Sequence, residues 1–400
     1  MNRISRLFIH VPDACAGQLE HRGRHVFAYD AAVLDRPAAA ISLTMPVRLA
    51  SYEHTLMLPA LQTFMPEGFI AERLRERFGK TIKMNDMALL ALSSGDAIGR
   101  LRVSIERNAP GAQATIALRE LLADQGNRAL FDDLCERFLF SSGIAGVQPK
   151  VLVNAERDEA FTASPSNEKI SLETRATLNV GQYIVKAGEA RLPDLAANEF
   201  HCLSIVRAAG LRVPNFWLSA DEKRLVIERF DRENNASLGF EDMVSLQGKQ
   251  NADKYDGSYE GIAKAITLNA SPAYVHGSLN ALFELIVISV YLRNGDAHLK
   301  NFGLLYTDPT TDDCRLAPVY DITTTTMYLP NDRMALSVSR DRAWPTDATL
   351  TKFGREVCRA RDPALAMNRI TQAIADYQPT LAESVWRRQK LALAERFVPK

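Results

Sequence analysis

The chain has 400 residues, in which 48 Lys and Arg balance 48 Asp and Glu, and 46% of the residues are hydrophobic. Such a length and composition indicate a globular protein of two or three domains, or one large bilobal enzyme. The balanced charge excludes a global cationic field for nucleic-acid binding, so we expect any DNA contact to pass through a partner.

The cysteines and the apolar runs indicate a cytoplasmic protein that does not enter a membrane. The five cysteines are scattered and form no C-x-x-C pair: Cys15, Cys135, Cys202, Cys314 and Cys358. They predict free thiols rather than a zinc site or a disulfide framework. The first apolar stretch is broken by Pro12, unlike a signal peptide. The run 282–292 is too short to span a bilayer and contains Glu284, so we expect a buried helix there.

The first part of the chain alternates short apolar runs with turns. Strands are predicted at 7–11, 26–29 and 101–105, and helices at 68–78 and 87–92. The turn signal Asn108-Ala109-Pro110-Gly111 predicts a domain boundary.

The middle of the chain predicts a small antiparallel sheet with one helix. A helical stretch at 118–138 precedes a loop at 141–146. The predicted strands lie at 150–153, 183–186, 213–218 and 224–230, with a polar loop at 155–180. Pro193 and Asp194 open a helix that runs to about Ala209 and is closed by Gly210.

From about Phe240 onward the signals are mostly helical, except for strand-like runs at 304–306 and 316–320. A small strand-rich lobe before a larger helical lobe is a bilobal, protein-kinase-like α+β fold. We therefore predict an N-terminal subdomain at 1–108, a nucleotide-binding N-lobe at 109–235 and a helical catalytic C-lobe at 236–400.

The most informative segment is Arg293-Asn294-Gly295-Asp296-Ala297-His298-Leu299-Lys300-Asn301-Phe302. Asp296 can orient and deprotonate a hydroxyl, and the carboxamide of Asn301 can bind a metal ion. Asp321 follows after an apolar run and would bridge Mg²⁺ to phosphates. Catalytic Asp, metal-binding Asn and metal-binding Asp is the order found in protein-kinase-like enzymes. The alternative is a polar loop whose side chains make only turn hydrogen bonds.

Two further residues of this segment are candidates for catalysis. His298 is better suited to structural hydrogen bonding than to Mg²⁺, which prefers oxygen ligands. Lys300 could neutralise charge on the transferring phosphoryl group. If the loop is extended, its side chains alternate in direction, and His298 and Lys300 would lie on the same side of the loop.

Upstream residues suggest a nucleotide site. Lys186 ends an apolar strand and could bind phosphate groups, with Glu199 on the next helix as its ion-pair partner. The loop Ser141-Ser142-Gly143-Ile144-Ala145-Gly146 could lie over the phosphates, and Lys150 could reach one. The alternatives are a surface lysine, a solvated helix face and a plain turn.

Glu228 to Phe230, at the end of the strand predicted at 224–230, would form a hinge whose backbone N–H and C=O groups could read the adenine edge. Side chains contribute little to such a hinge, so an ordinary strand end is an equally good interpretation.

The ordered motifs resemble those of the HipA-like serine/threonine kinases, the toxins of bacterial toxin–antitoxin pairs. The resemblance rests on NGDAHLKNF at 294–302 with APVYDIT at 317–323, and on weaker motifs upstream. Those weaker motifs are Phe27-Ala28-Tyr29-Asp30, Ile41-Ser42-Leu43-Thr44-Met45-Pro46, Met65-Pro66-Glu67-Gly68, Ile144–Lys150, Tyr183–Lys186, Asn198-Glu199-Phe200, Val226–Asp231 and Glu241-Asp242-Met243. Ile322-Thr323 follows the second Asp where ordinary kinases have Phe-Gly, so the Phe-based activity switch is not expected.

The resemblance implies a toxin kinase that uses ATP and Mg²⁺ and phosphorylates a translation protein such as an aminoacyl-tRNA synthetase. It also implies restraint by a small helix-turn-helix antitoxin (HipB-like), through which DNA would be contacted indirectly. Two alternatives stay open, which are a small-molecule kinase of the aminoglycoside-phosphotransferase type and an inactive kinase fold that acts only as a corepressor.

Family members can be phosphorylated on a serine in the nucleotide loop. The serine of the best-known form would fall at Gly143 here, with Ser142 and Ser141 just before it. The resemblance therefore makes Ser142 or Ser141 the candidate for self-phosphorylation, and local turn hydrogen bonding is the alternative.

Overall fold

The computed structural model describes residues 3–67, 82–93, 97–107, 118–123, 150–157, 178–187, 192–233 and 236–397, with isolated positions between 71 and 78. Two hydrophobic cores lie within these residues. One belongs to the N-terminal domain and includes Leu7, Ile9 and Phe27. The other runs from Ile184 to Leu393 and is shared by the two lobes of the rest of the chain.

The N-terminal domain is built on a five-stranded sheet with the order β4-β3-β2-β1-β5. Its strands pair antiparallel throughout. They are β1 (Arg6–Val11), β2 (Ala14–His21), β3 (His25–Tyr29), β4 (Tyr52–His54) and β5 (Arg102–Ser104), and the helices are α1 (Pro59–Gln62) and α2 (Asp86–Ser93). Leu7, Ile9 and Val11 alternate along β1 and are buried, as the two-residue period of a strand requires.

The N-lobe is a four-stranded antiparallel sheet with the order β6-β7-β9-β8, covered by one long helix. Its elements are α3 (Leu118–Leu122), β6 (Lys150–Arg157), β7 (Leu178–Ala187), α4 (Leu195–Ala208), β8 (Phe216–Leu218) and β9 (Arg224–Glu228). Helix α4 packs on β7, β8 and β9. It ends before Gly210, whose φ of 82° suits a glycine that closes a helix.

The C-lobe is mostly helical and carries a small three-stranded sheet with the order β12-β13-β14. It contains β10 (Arg232–Glu233), β11 (Ala236–Ser237), β12 (Gly239–Asp242), α5 (Met243–Leu246), α6 (Tyr259–Asn269), α7 (Pro272–Tyr291), β13 (Gly303–Tyr306), β14 (Arg315–Leu316), α8 (Asp347–Glu356), α9 (Pro363–Asp376) and α10 (Glu383–Phe397). Helix α7 is its centre and packs against α6, α8 and α9.

Among the helices that the structure describes, α7 is the only one whose length and apolar composition would allow it to cross a membrane. However, 61% of its apolar window is buried inside the protein, as in a core helix. The buried helix expected at 282–292 is therefore confirmed, although it begins earlier, at Pro272.

The α+β fold is confirmed, as are the strands predicted in the N-terminal domain and the antiparallel sheet of the N-lobe. Five details were wrong. The strand predicted at 224–230 ends at Glu228, and of the run predicted at 316–320 only Leu316 belongs to a strand. The loop predicted at 155–180 loses residues at both ends, because β6 reaches Arg157 and β7 begins at Leu178. Residues 213–215 do not belong to β8. The residues of β12 were assigned to helical sequence, and they form a strand because they pair with the distant β13.

The boundary predicted at 108–111 and most of the helical stretch at 118–138 lie outside the described residues, as do most of the helix at 68–78 and the boundary residue Asn235. The three-domain division therefore stays a prediction.

The N-terminal domain docks on the C-lobe through buried polar contacts. The Glu241 carboxylate accepts hydrogen bonds from the Ser42 hydroxyl at 2.5 Å and from the Leu43 amide at 2.7 Å. The Thr63 hydroxyl donates to Asp242 at 3.1 Å. The side chain of Gln62 contacts Gln250 and the Asn251 amide. Because both acidic residues are buried, these contacts satisfy groups that water cannot reach.

Candidate active site

The candidate catalytic loop joins α7 to β13 and has a constrained backbone. Arg293 has a left-handed φ of 53°, a conformation that costs energy in a non-glycine residue. Gly295 lies so close to Asp332 that an added Cβ would come within 2.0 Å of that carboxylate. The loop therefore requires glycine at this position, next to Asp296.

Asp296 is exposed, and its carboxylate accepts a hydrogen bond of 2.7 Å from the hydroxyl of Tyr255. Burial and the nearby Asp296 charge both raise the pKa of Tyr255, so its phenol stays protonated and acts as a donor. Sequence reasoning did not identify Tyr255, since a tyrosine in a polar stretch carries no distinctive pattern. The carboxylate of Asp296 is thus held from one side while it faces solvent.

The residues after Asp296 form a 3₁₀ turn, Leu299–Asn301, rather than an extended loop. The amide oxygen of Asn301 accepts a hydrogen bond from the His298 backbone at 2.9 Å. The His298 ring is 8% exposed and packs edge-on against Tyr255, with 5.1 Å between ring centroids. Burial lowers the pKa of His298, so the ring is neutral near pH 7. The Nδ1 atom of the buried ring has no hydrogen-bond partner among the described residues, so the structural hydrogen bonding predicted for His298 stays a prediction.

Lys186, Glu199 and Asp321 come together from three separate segments. The Lys186 ammonium is 3% exposed and forms an ion pair with Glu199 on α4. It also lies 3.4 Å from the carboxylate of Asp321 and 3.0 Å from the Tyr320 carbonyl oxygen. Burial alone would lower the pKa of Lys186, but Asp321 and Glu199 outweigh it and raise that pKa above its usual value. The lysine is therefore charged, and it joins the N-lobe to the C-lobe.

The candidate hinge lies beside this cluster. Phe230 stacks on Tyr320 with 4.6 Å between ring centroids, next to Asp321. Glu228 ends β9, and its side chain accepts a hydrogen bond of 2.7 Å from Asn215. Arg229 and Asp231 form a buried ion pair, and Asp231 also accepts from the Gly99 amide at 2.7 Å. The hinge is thus tied to the N-terminal domain.

The side chain of Lys300 contacts the N-terminal domain and does not extend into the space in front of the catalytic loop. Its ammonium lies 2.8 Å from Glu67 and 2.9 Å from the side-chain oxygen of Asn251. The same Glu67 carboxylate forms an ion pair of 2.9 Å with Lys254. Lys300 therefore has partners other than the phosphoryl group predicted for it. The placement of Lys300 and His298 on one side of an extended loop does not occur, because these residues form a 3₁₀ turn.

Asn301 and Asp321 offer oxygen atoms, which are the ligands that Mg²⁺ prefers. Their two segments are adjacent, because the Tyr320 hydroxyl donates to the Lys300 carbonyl at 2.5 Å. Within the described ranges, no group of three or more His, Cys, Asp and Glu could hold a metal by itself. An amide and a single carboxylate that complete their shell with phosphate oxygens fit Mg²⁺ better than a cation held by protein alone.

The nucleotide-loop candidates Ser141, Ser142, Gly143, Ile144, Ala145 and Gly146 lie outside the described residues. Lys150 is described only by its backbone, which pairs with Lys186 in the register of β6 and β7. Their predicted roles stay predictions.

Comparison with known proteins decides the family. The HipA-like C-terminal domain matches residues 142–381, and the HipA N-terminal domain matches residues 7–104. The chain belongs to the HipA-like family. The first match covers Lys186, Glu199, Asp296, Asn301 and Asp321, and the second covers the domain that carries Glu67.

Individual relatives agree with this assignment. “Putative kinase Y4dM” of Sinorhizobium fredii is 27% identical over 80% of this chain and 77% of its own length. A Haemophilus influenzae protein, also named as a kinase, is 31% identical over 46% of this chain and 53% of its own length. HipA of Shewanella oneidensis, solved with HipB and operator DNA, covers 97% of this chain and 96% of its own, with a TM-score of 0.64 and 18% identity. The family and the relatives support a kinase of HipA type, and the solved structure supports the fold.

Proposed function

We propose that this HipA-like protein is an ATP- and Mg²⁺-dependent serine/threonine protein kinase. The observation that carries the proposal is the Lys186 ammonium, which is buried between Glu199 on α4 and Asp321 of the C-lobe. Protein kinases use a lysine held by a helix glutamate, near an aspartate that binds the metal, and the arrangement around Lys186 supports a role of this kind.

In this proposal each residue has one task. Lys186 binds the nucleotide phosphates, and backbone groups of the hinge from Glu228 to Phe230 bind the adenine. Asn301 and Asp321 would hold Mg²⁺, which neutralises phosphate charge when it is bound. Asp296 orients the acceptor hydroxyl and takes its proton while the oxygen bonds to the γ-phosphorus and ADP leaves.

The biological role is proposed from the family and its relatives. We propose that the protein acts as the toxin of a toxin–antitoxin pair, that it phosphorylates a translation protein such as an aminoacyl-tRNA synthetase, and that it also phosphorylates itself. The Shewanella neighbour was solved with HipB and operator DNA. By analogy, a small helix-turn-helix antitoxin would bind this chain. The balance of 48 basic and 48 acidic residues supports DNA contact through that partner rather than directly.

The test is phosphoryl transfer from radiolabelled ATP by the purified protein. The reactions contain Mg²⁺ and, in separate tubes, the protein alone, a bacterial protein extract, and a pool of small metabolites. Label on serine or threonine of the kinase or of an extract protein supports the proposal. Label on metabolites alone would indicate a small-molecule kinase. The absence of any ATP turnover would indicate an inactive fold that acts through binding.

A further inference from the structure

We infer that Glu67 is a positioning residue through which the N-terminal domain holds the catalytic loop in its working geometry. This inference rests on the proposed function, because it assigns Glu67 a part in the same reaction. The residue lies in the N-terminal domain and has no place in the catalytic scheme given above.

The Glu67 carboxylate is shared by two lysines of the C-lobe. One oxygen lies 2.9 Å from the Lys254 ammonium and the other lies 2.8 Å from the Lys300 ammonium. The three side chains are 16%, 11% and 8% exposed, respectively. Burial alone would raise the pKa of Glu67, but Lys300 and Lys254 outweigh it and lower that pKa. The carboxylate is therefore charged and lies between two cations.

Each lysine is covalently next to a group of the proposed site. Lys254 precedes Tyr255, whose hydroxyl donates to Asp296 at 2.7 Å. Lys300 precedes Asn301, and its carbonyl accepts from Tyr320, which precedes Asp321. A single carboxylate thus fixes the backbone beside the proposed base and beside both proposed metal ligands.

Loss of the Glu67 charge would leave two nearly buried ammonium groups close together without their shared partner. Like charges in a low-dielectric setting repel, and each would move toward water. Such movement would carry 251–256 and 299–301 with it. Because catalysis depends on placement to within about 1 Å, a small displacement would slow the reaction.

The N-terminal domain has other attachments, so its docking does not depend on Glu67. Glu241 binds Ser42 and Leu43, Thr63 binds Asp242, and Gly99 binds Asp231. A purely structural role for Glu67 therefore predicts little change in activity when only its charge is removed.

The experiment uses Glu67→Gln in the full chain, which keeps the shape of the side chain and removes its charge. We expect kcat for phosphoryl transfer to fall about tenfold and KM for ATP to rise by less than that, because Lys186 and the hinge keep their contacts while the proposed metal ligands shift. Amide hydrogen exchange should rise at 251–256 and 293–302. The matched control is Thr63→Val, which removes a hydrogen bond at the same interface that does not involve the lysines, and its kcat should stay within about twofold of wild type.

A second variant tests the cause. Lys254→Gln combined with Glu67→Gln removes one of the two repelling charges and should restore part of the lost kcat. Unchanged exchange in both segments of Glu67→Gln would overturn the inference, and so would an equal loss of kcat in Thr63→Val. If wild type shows no ATP turnover, the proposed function fails, and hydrogen exchange still decides whether Glu67 holds the loop.

Discussion

The ammonium group of Lys186 lies 3.4 Å from the carboxylate of Asp321, although the two residues belong to opposite lobes. The same ammonium is bonded to Glu199, whose side chain is 1% exposed. One lysine therefore pairs with two carboxylates and joins the N-lobe sheet to the segment that follows β14. This ion pair is one of several contacts between the lobes, which also share a hydrophobic core.

We expect Lys186→Met to abolish ATP turnover and to destabilise the protein by about 3–5 kcal/mol, because the ion pair with the buried Glu199 carboxylate is lost. Urea unfolding followed by fluorescence measures the second effect. The control is Lys249→Met, since Lys249 pairs at 3.4 Å with Asp256, which is 84% exposed. That variant should lose no more than about 1 kcal/mol. Equal stability losses in the two variants would contradict the assigned role of Lys186.

We expect Asp296→Ala to lower the rate of phosphoryl transfer by about a thousandfold, which corresponds to roughly 4 kcal/mol of transition-state stabilisation. Asp296 is exposed and its side chain contacts Tyr255, so the folded structure should survive the change. Asp256→Ala is the control, because it removes a carboxylate from an exposed position near the same loop. A variant at Asp296 that keeps near-wild-type activity would show that another group is the base.

The lobes and the central cluster could be predicted because their signals are local. Lys186 ends an apolar strand, Glu199 lies on the helix that follows, and Asp296, Asn301 and Asp321 are ordered as in kinases. These features require only strand period, helix boundaries and motif spacing. The fold that they imply is the one observed, whereas their catalytic roles stay predictions.

The remaining features depend on contacts between residues far apart in the chain. Glu67 and Lys300 are 233 positions apart, so no local pattern indicates their ion pair. Strand β12 contains Glu241 and Asp242, which look solvent-exposed in sequence but are buried because the N-terminal domain covers them. In both cases contacts between distant parts of the chain, and not the local sequence pattern, determine the environment of these side chains.

We expect ATP with Mg²⁺ to raise the melting temperature, because a ligand that binds only the folded state stabilises it. EDTA should remove most of that gain, since Asn301 and Asp321 would bind the nucleotide through the metal. Asp321→Asn should show a smaller gain than wild type at the same ATP concentration. The measurement is a thermal melt across a series of ATP concentrations. A gain that is indifferent to EDTA would contradict the proposed Mg²⁺ site.

We expect phosphate on Ser142 or Ser141 after incubation of the protein with ATP and Mg²⁺. A phosphate adds a charge of about −2, which would repel the nucleotide from a loop that lies over its phosphates. Peptide mass spectrometry locates the modification, and Asp296→Ala is the control that should remain unmodified. An active kinase with phosphate on neither serine would exclude self-phosphorylation at this loop.

His201 is buried in α4 and links the N-lobe to the segment between α9 and α10. Its Nε2–H donates to the Ala382 carbonyl oxygen at 3.1 Å, so Nδ1 is the acceptor for the Tyr377 hydroxyl at 2.9 Å. Burial lowers the pKa of His201 to about 4 from an ordinary value of 6.5. The folded state therefore binds a proton here less readily than the unfolded chain does.

The sign of the pH effect follows from these two values. Above pH 6.5 the ring is neutral in both states, and the full contribution of His201 to stability is present. As the pH falls from 6.5 toward 4, only the unfolded chain takes up the proton, and the free energy of unfolding should drop by about 3 kcal/mol. His201→Gln cannot titrate, so urea unfolding of this variant should show a decline in that pH range that is smaller by this amount. Parallel declines for wild type and His201→Gln would mean that another group controls acid stability.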